Sequence, residues 1–203
     1  ELVPMTREFV EQNIAAVMAL DRLVPYRPDQ PTEAEYYLSD IPGKWRFSRM
    51  ILENDVLKGF VLAYERENVD GVRSVYLSKG VVDEECRGKG YFKRMMGEVV
   101  AEVHRAGIPT LFIETSASPR NEYVVTSMEY LGFMARDVLR EMLPNGWPLI
   151  KVRLEMNVSG DIRRSDRHFS PIPDQVYQDM YNAGTDDPFR NYISYRKFLG
   201  GAL

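Results

Sequence analysis

The spacing of hydrophobic positions changes several times along the chain, and each change marks an element. Val10, Ile14, Val17 and Met18 fall at i, i+4, i+7 and i+8 behind Thr6, a residue type that caps helix N-termini. This spacing predicts a helix that ends near Leu20 to Leu23. Pro25, Pro28 and Pro31 then enforce a loop, and Thr32 to Leu38 reads as a short second helix. From Trp45 the period shortens to two. Trp45 to Glu53 and Val56 to Arg66 read as strands, with Asn54-Asp55 as a hairpin turn between them. A polar turn around Asn68 to Gly71 leads into a third strand, Val72 to Val82. Short connections make the three strands an antiparallel meander.

The next element is helical again. Between Gly90 and Ala106, Phe92, Met95, Met96, Val99 and Val103 share one face, and Lys93, Arg94, Glu98, Glu102 and Arg105 share the other. Its last turn is basic (His104, Arg105), and Gly107 supplies the residue that helices favour just past their end. Thr110 to Thr115 is a short buried strand. Ser118-Pro119 opens a further helix, with Val124, Met128 and Leu131 inward and Gly132 as its stop. Phe133 to Leu143 and Leu149 to Met156 form a closing hairpin. The expected organisation is one domain over residues 1–157 and an aromatic, Pro-containing extension over 158–203 that packs on the core or on a partner.

Composition narrows the function classes. The chain has 203 residues, 44% hydrophobic and 28% charged, with a formal net charge of −4. That is enough apolar content for a packed core, and too acidic for nucleic-acid binding by bulk charge. No apolar run approaches the ~20 residues of a membrane helix. The first residues lack a basic segment followed by an apolar one, so a soluble, cytoplasmic protein is expected. Cys86 is the single cysteine, which rules out an internal disulfide and a Cys-based zinc site. With two histidines, His104 and His168, no metal is expected. Dimerisation is left open.

The chemistry concentrates between Val81 and Phe92, VVDEECRGKGYF. A strand ends, a loop with two glycines follows, and the amphipathic helix begins. Glycines let a backbone approach a ligand closely, and a helix N-terminus attracts anions. Arg87 and Lys89 add full charges. The spacing fits neither the dinucleotide fingerprint G-x-G-x-x-G nor the P-loop G-x-x-x-x-G-K-[ST]. Two readings stand at this point: a pyrophosphate cradle, or a tight turn with surface charges.

The residues also carry a family likeness. Val72 to Phe133 resembles the GNAT superfamily, the Gcn5-related acyl-CoA N-acyltransferases. Arg87-Gly88-Lys89-Gly90 resembles its V-x-P-x-x-R-G-x-G-x-G/A loop, read from Val82. Asn121, Met128 and Tyr130-Leu131-Gly132-Phe133 resemble its N-x-x-A-x-x-x-Y-x-x-L-G-F segment. The likeness spans Met5 to Met156. It implies an α+β (mixed α-β) GNAT fold, a mostly antiparallel central sheet flanked by helices.

The resemblance further implies an acetyl-CoA-dependent N-acetyltransferase that acts on a small-molecule or peptide amine without a metal. The coenzyme's pyrophosphate would lie on the amides of Arg87, Gly88, Lys89, Gly90, Tyr91 and Phe92. Its pantetheine arm would pair with the backbone of Gly80 and Val82, and Asn121 would touch it. An amide near Val82 would hold the developing oxyanion. Glu114 is the candidate base, by likeness to the ribosomal-protein alanine acetyltransferases, although the stretch to Asn121 is about two residues longer here. The histone acetyltransferase branch carries its glutamate where this chain has Tyr76. Among the departures from the pattern, Phe92 replaces Gly or Ala, Val124 replaces Ala, and Met128 replaces the tyrosine acid. Tyr130 or Tyr123 would then supply the proton, or the thiolate would leave unaided. Tyr36, Tyr37 and Trp45 are candidates for an acceptor wall or for core packing. A longer acyl donor, on CoA or an acyl carrier protein, and a non-catalytic acyl-CoA-binding module are the alternatives.

Overall fold

The computed structural model describes residues 1–23, 33–68, 71–116, 124, 127–128, 130–142 and 148–158. The proline loop, Asn121, Tyr123, most of the second half-chain helix, the turn of the closing hairpin and the tail beyond Val158 lie outside the described residues. The described residues divide into two compact units, one of Glu1–Phe112 with Asn157 and Val158, the other of Ile113–Met156.

In the first unit, α1 (Arg7–Asp21) starts where its cap predicts: the Thr6 hydroxyl accepts from the Phe9 amide at 3.1 Å. Its ladder is interrupted at Asn13, whose side chain donates to the Phe9 carbonyl at 3.0 Å. An Asn side chain competes in this way for backbone acceptors. α2 (Ala34–Leu38) follows, then α3 (Lys44–Phe47). α3 corrects the reading of Trp45 as the start of a strand. Gly43 takes φ 74° ahead of it, and the buried Lys44 ammonium donates to the carbonyls of Tyr36 and Tyr37 at 2.7 Å and Ser39 at 2.8 Å. One side chain thus ties α3 to the C-terminal carbonyls of α2, across five to eight residues, a tie that no residue period encodes. Lys44→Met is expected to lower unfolding free energy by about 3 kcal/mol, because three carbonyls lose a charged donor. Urea denaturation measures it.

The meander forms as expected from β2 (Arg49–Glu53), β3 (Val56–Glu67) and β4 (Arg73–Val82). Asn54 and Asp55 take φ 50° and 62°, the left-handed pair that a tight hairpin turn needs. The N-terminal β1 (Leu2–Pro4), which the hydrophobic pattern does not reveal, adds to the far edge of β2 with Val3 opposite Met50. The order in this unit is β1-β2-β3-β4, followed by the first residues of β5 (Thr110–Ser116). α1 and α2 cover one face through Val10, Val17, Leu20 and Tyr37, packed on Phe60, Leu62 and Val81. α4 (Tyr91–Arg105) lies against β2, β3 and β4 with Met95, Met96, Val99 and Val103 buried. It ends in a Schellman motif: Ile108 donates to Val103 at 3.2 Å and Gly107, at φ 66°, donates to His104 at 2.9 Å.

The β3–β4 register slips once. Leu62 faces Lys79 and Ala63 faces Leu77, so Ser78 is an extra residue on β4. Such a bulge bends its strand and re-aims side chains.

The second unit holds the rest of β5 and the hairpin of β6 (Met134–Met142) and β7 (Pro148–Asn157), paired antiparallel with Val138 opposite Val152. Gly132, at φ 98°, reverses the chain into β6, and the Phe133 amide donates back to Met128 at 3.0 Å. Among the described residues no helix is long and apolar enough to cross a membrane.

Candidate functional site

The loop from β4 to α4 is built by its own short-range bonds. The Asp83 carboxylate accepts from the Glu85 amide at 3.2 Å and opens a single 3-10 turn, Glu84–Cys86. Lys58 reaches across to the same carboxylate at 3.0 Å and holds its pKa below the usual carboxylate range, helped by the Glu85 amide. The amides of Cys86 and Arg87 turn inward to Asp83 and Glu84 at 2.9 and 3.2 Å. Gly88 and Gly90 then take φ 78° and 74°, a conformation that L side chains rarely adopt.

Gly90 is the N-cap of α4 and brings no capping side chain. The first intrahelical bond runs from the Arg94 amide to the Gly90 carbonyl, at 3.0 Å. The amides of Tyr91 and Phe92 therefore precede any intrahelical acceptor, at the positive end of the helix dipole. No acidic residue stands in that first turn. A Cβ built on Gly88 or Gly90 meets nothing within 4 Å, so the backbone faces open space. An oxyanion fits this cradle in size and in sign.

The structure brings together most residues singled out from sequence: Gly80, Val82, Arg87, Gly88, Lys89, Gly90, Tyr91 and Phe92 all lie at this junction. Phe92 is half-buried, and a Cβ on Gly80 would meet its Cε2 at 2.6 Å. The bulky residue at a position where the family pattern has Gly or Ala thus rests in the space that Gly80 leaves open on β4. Arg87 is exposed and paired with Glu84 at 3.3 Å. Sequence reasoning missed Glu53, the last residue of β2. Its carboxylate accepts from the Tyr91 hydroxyl and lies 3.4 Å from Lys89 Nζ. No local signal marks a residue that acts across more than 30 positions.

On the α1–α2 face, the Tyr36 hydroxyl hydrogen-bonds the hydroxyl of the bulged Ser78. Burial raises the Tyr36 pKa and keeps it a phenol. Tyr36 packs edge-on against Tyr37, and Tyr64 and Tyr76, opposite each other on β3 and β4, pack at 5.5 Å with Phe112 5.1 Å from Tyr76. Beside Tyr36, Lys79 is buried against Asp21 at 2.7 Å, and burial lowers its pKa. This half-buried aromatic wall includes Tyr64 and Tyr76, which sequence reading did not assign to it. Trp45 turns elsewhere, donating to Asp40 at 3.1 Å.

In the second unit, Glu114 is buried in an ion pair with the equally buried Arg153. Tyr130 is 77% exposed. Met128 is buried among the described residues, a packing position. Among those residues, no group of three or more His, Cys, Asp or Glu is arranged to hold a metal ion.

A bulged meander followed by a glycine loop and an amphipathic helix makes this an α+β protein with an anion-accepting strand-to-helix junction. The family model "Acetyltransferase (GNAT) family" matches residues 15–133, and the chain belongs to this family of acyltransferase enzymes. Comparison with curated protein sequences gives no significant match. Solved structures share the fold. The ribosomal-protein-S18-alanine N-acetyltransferase of Escherichia coli has 16% identity and a TM-score of 0.59, covering 78% of this chain and 94% of that one. Naa50 of Arabidopsis thaliana, in complex with the bisubstrate analogue CoA-Ac-MVNAL, has 17% identity and a TM-score of 0.60, covering 77% and 97%. An aminoglycoside 6'-N-acetyltransferase complexed with coenzyme A has 17% identity and a TM-score of 0.58, covering 78% and 97%.

Proposed function

We propose that this protein transfers an acetyl group from acetyl-CoA to a primary amine by direct attack in a ternary complex. The observation that carries the reading is the uncapped first turn of α4 behind Gly88 and Gly90, open to solvent and without an acidic residue. The amides of Tyr91 and Phe92 bind the carrier's pyrophosphate, with Arg87 and Lys89 as counter-charges. The exposed backbone at Gly80 and the neighbouring Val82 align the pantetheine arm, and a main-chain N–H at Val82 stabilises the oxyanion as the amine adds to the thioester carbonyl. The new C–N bond forms, the C–S bond breaks, and the thiolate takes up a proton.

Glu114 is the proposed base that removes the ammonium proton, with Arg153 fixing the direction of its carboxylate. Tyr130 is the proposed acid. Its exposure also suits a route in which water protonates the thiolate, whose ordinary pKa is only about 8.5. Asn121 is proposed as a carrier contact. The acceptor is a peptide or small-molecule amine, in keeping with the peptide-like analogue bound by the Arabidopsis relative. The half-buried wall of Tyr36, Tyr64 and Tyr76 is its proposed resting place.

Calorimetric titration with coenzyme A tests the reading. Arg87→Glu is expected to weaken binding by about 10- to 100-fold, the worth of one or two charge-assisted contacts. An unchanged affinity would remove the loop from the site. Parallel assays with acetyl-CoA, longer acyl-CoA and acylated carrier protein identify the donor. Binding without turnover of any amine would mark a sensor rather than an enzyme.

A further inference from the structure

Glu53 has no place in the chemistry above, yet it is the carboxylate that touches the loop most extensively. One oxygen accepts from the Tyr91 hydroxyl and lies 3.4 Å from Lys89 Nζ. The other oxygen lies 3.8 Å from Cys86 Sγ, which is itself 3.6 Å from Lys89 Nζ. Residues 86, 89 and 91 bracket both glycines, so a single side chain at the end of β2 grips the loop on each side of its left-handed turns. Two other carboxylates at the junction hold partners of their own: Asp83 holds Lys58, and Glu84 holds Arg87.

Lys89 is therefore folded back onto a protein carboxylate beside amides that lack an acceptor. The pair is weak, with the two side chains 47% and 33% exposed. A multiply charged phosphate competes for Lys89 on favourable terms, while Tyr91 stays tied to Glu53. We propose that Glu53 is a positioning residue of the loop and its resident anion: it orders Lys89 and Tyr91 in the empty site and yields Lys89 to the incoming carrier. This rests on the reading of the loop as the carrier's phosphate site. The consequence is counter-intuitive for a residue that holds a binding loop together. Neutralising it strengthens binding, because a competing negative charge disappears while a Gln side chain still accepts from Tyr91.

The test is calorimetric titration of coenzyme A, with inorganic pyrophosphate as a second probe, into wild type, Glu53→Gln, Lys89→Met and the double variant at low and high salt. Glu53→Gln is expected to bind coenzyme A about fivefold more tightly at low salt, with the gain shrinking as salt rises. In the Lys89→Met background the gain vanishes. A residue that only braces the loop predicts the opposite sign, weaker binding in Glu53→Gln. Wild type that binds coenzyme A, with Glu53→Gln binding it no tighter or gaining equally without Lys89, overturns this proposal alone. Wild type that binds neither probe overturns the loop assignment and this proposal together.

Discussion

Asp21→Ala is expected to destabilise the protein by about 3–5 kcal/mol, the cost of breaking a buried ion pair. Asp21 closes α1 and Lys79 sits beside the bulge of β4; their side chains are 7% and 4% exposed and 2.7 Å apart. Lys79 Nζ also lies 5.6 and 5.4 Å from the rings of Tyr36 and Tyr37, so π faces flank the ammonium beside the Asp21 carboxylate. Without Asp21, burial drives the ammonium to shed its proton or to pull water into the α1–α2 face. Replacing both partners, Asp21→Leu with Lys79→Met, should recover most of the loss, because an apolar pair of similar volume has no charge to desolvate. Chemical denaturation of the two variants decides it. A loss under 1 kcal/mol in Asp21→Ala would mean that the pair is not buried in solution.

The ion pair also shows where sequence reading succeeds and where it stops. Periodic elements were legible: Thr6 and the Val10 to Met18 stripe place α1, Asn54-Asp55 places the β2–β3 turn, and Gly107 places the end of α4. Each is written within a few residues, by backbone preference or by one face of a helix. The glycine loop was legible for the same reason, since positive φ at Gly88 and Gly90 and the start of α4 are local. What stayed hidden depends on contacts outside the period of any one element. β1 is three residues long and exists because β2 offers an edge. α3 replaces the expected strand start because Lys44 finds the carbonyls of α2. Ser78 bulges because of register against β3. Glu53 and Asp21 are ordinary acidic residues until the fold brings Lys89 and Lys79 to them. Candidate chemistry was thus readable where it is main-chain chemistry, and unreadable where it depends on side chains meeting across 30 or more positions.

Glu114→Gln separates the two roles that its position allows. As a base, Glu114 takes the acceptor's proton, and its loss is expected to lower kcat by about 10²–10⁴-fold with little change in the KM for acetyl-CoA. As nothing more than the counter-ion of Arg153, it would change stability and leave the turnover of the folded fraction intact. Both side chains are 5% exposed, so the pair contributes to the second unit whatever the chemistry. Gln keeps an acceptor for the guanidinium but not the charge, which places the expected destabilisation at about 1.5–3 kcal/mol. Thermal unfolding therefore reports the ion pair, and kcat measured well below the unfolding midpoint reports the base. The pH profile gives a further separation. If Glu114 is the base, raising the pH should partly rescue the variant when the acceptor amine loses its proton to water. A variant that is destabilised, yet turns over at the wild-type rate with the wild-type profile, would assign Glu114 to packing alone. Proton removal would then pass to solvent.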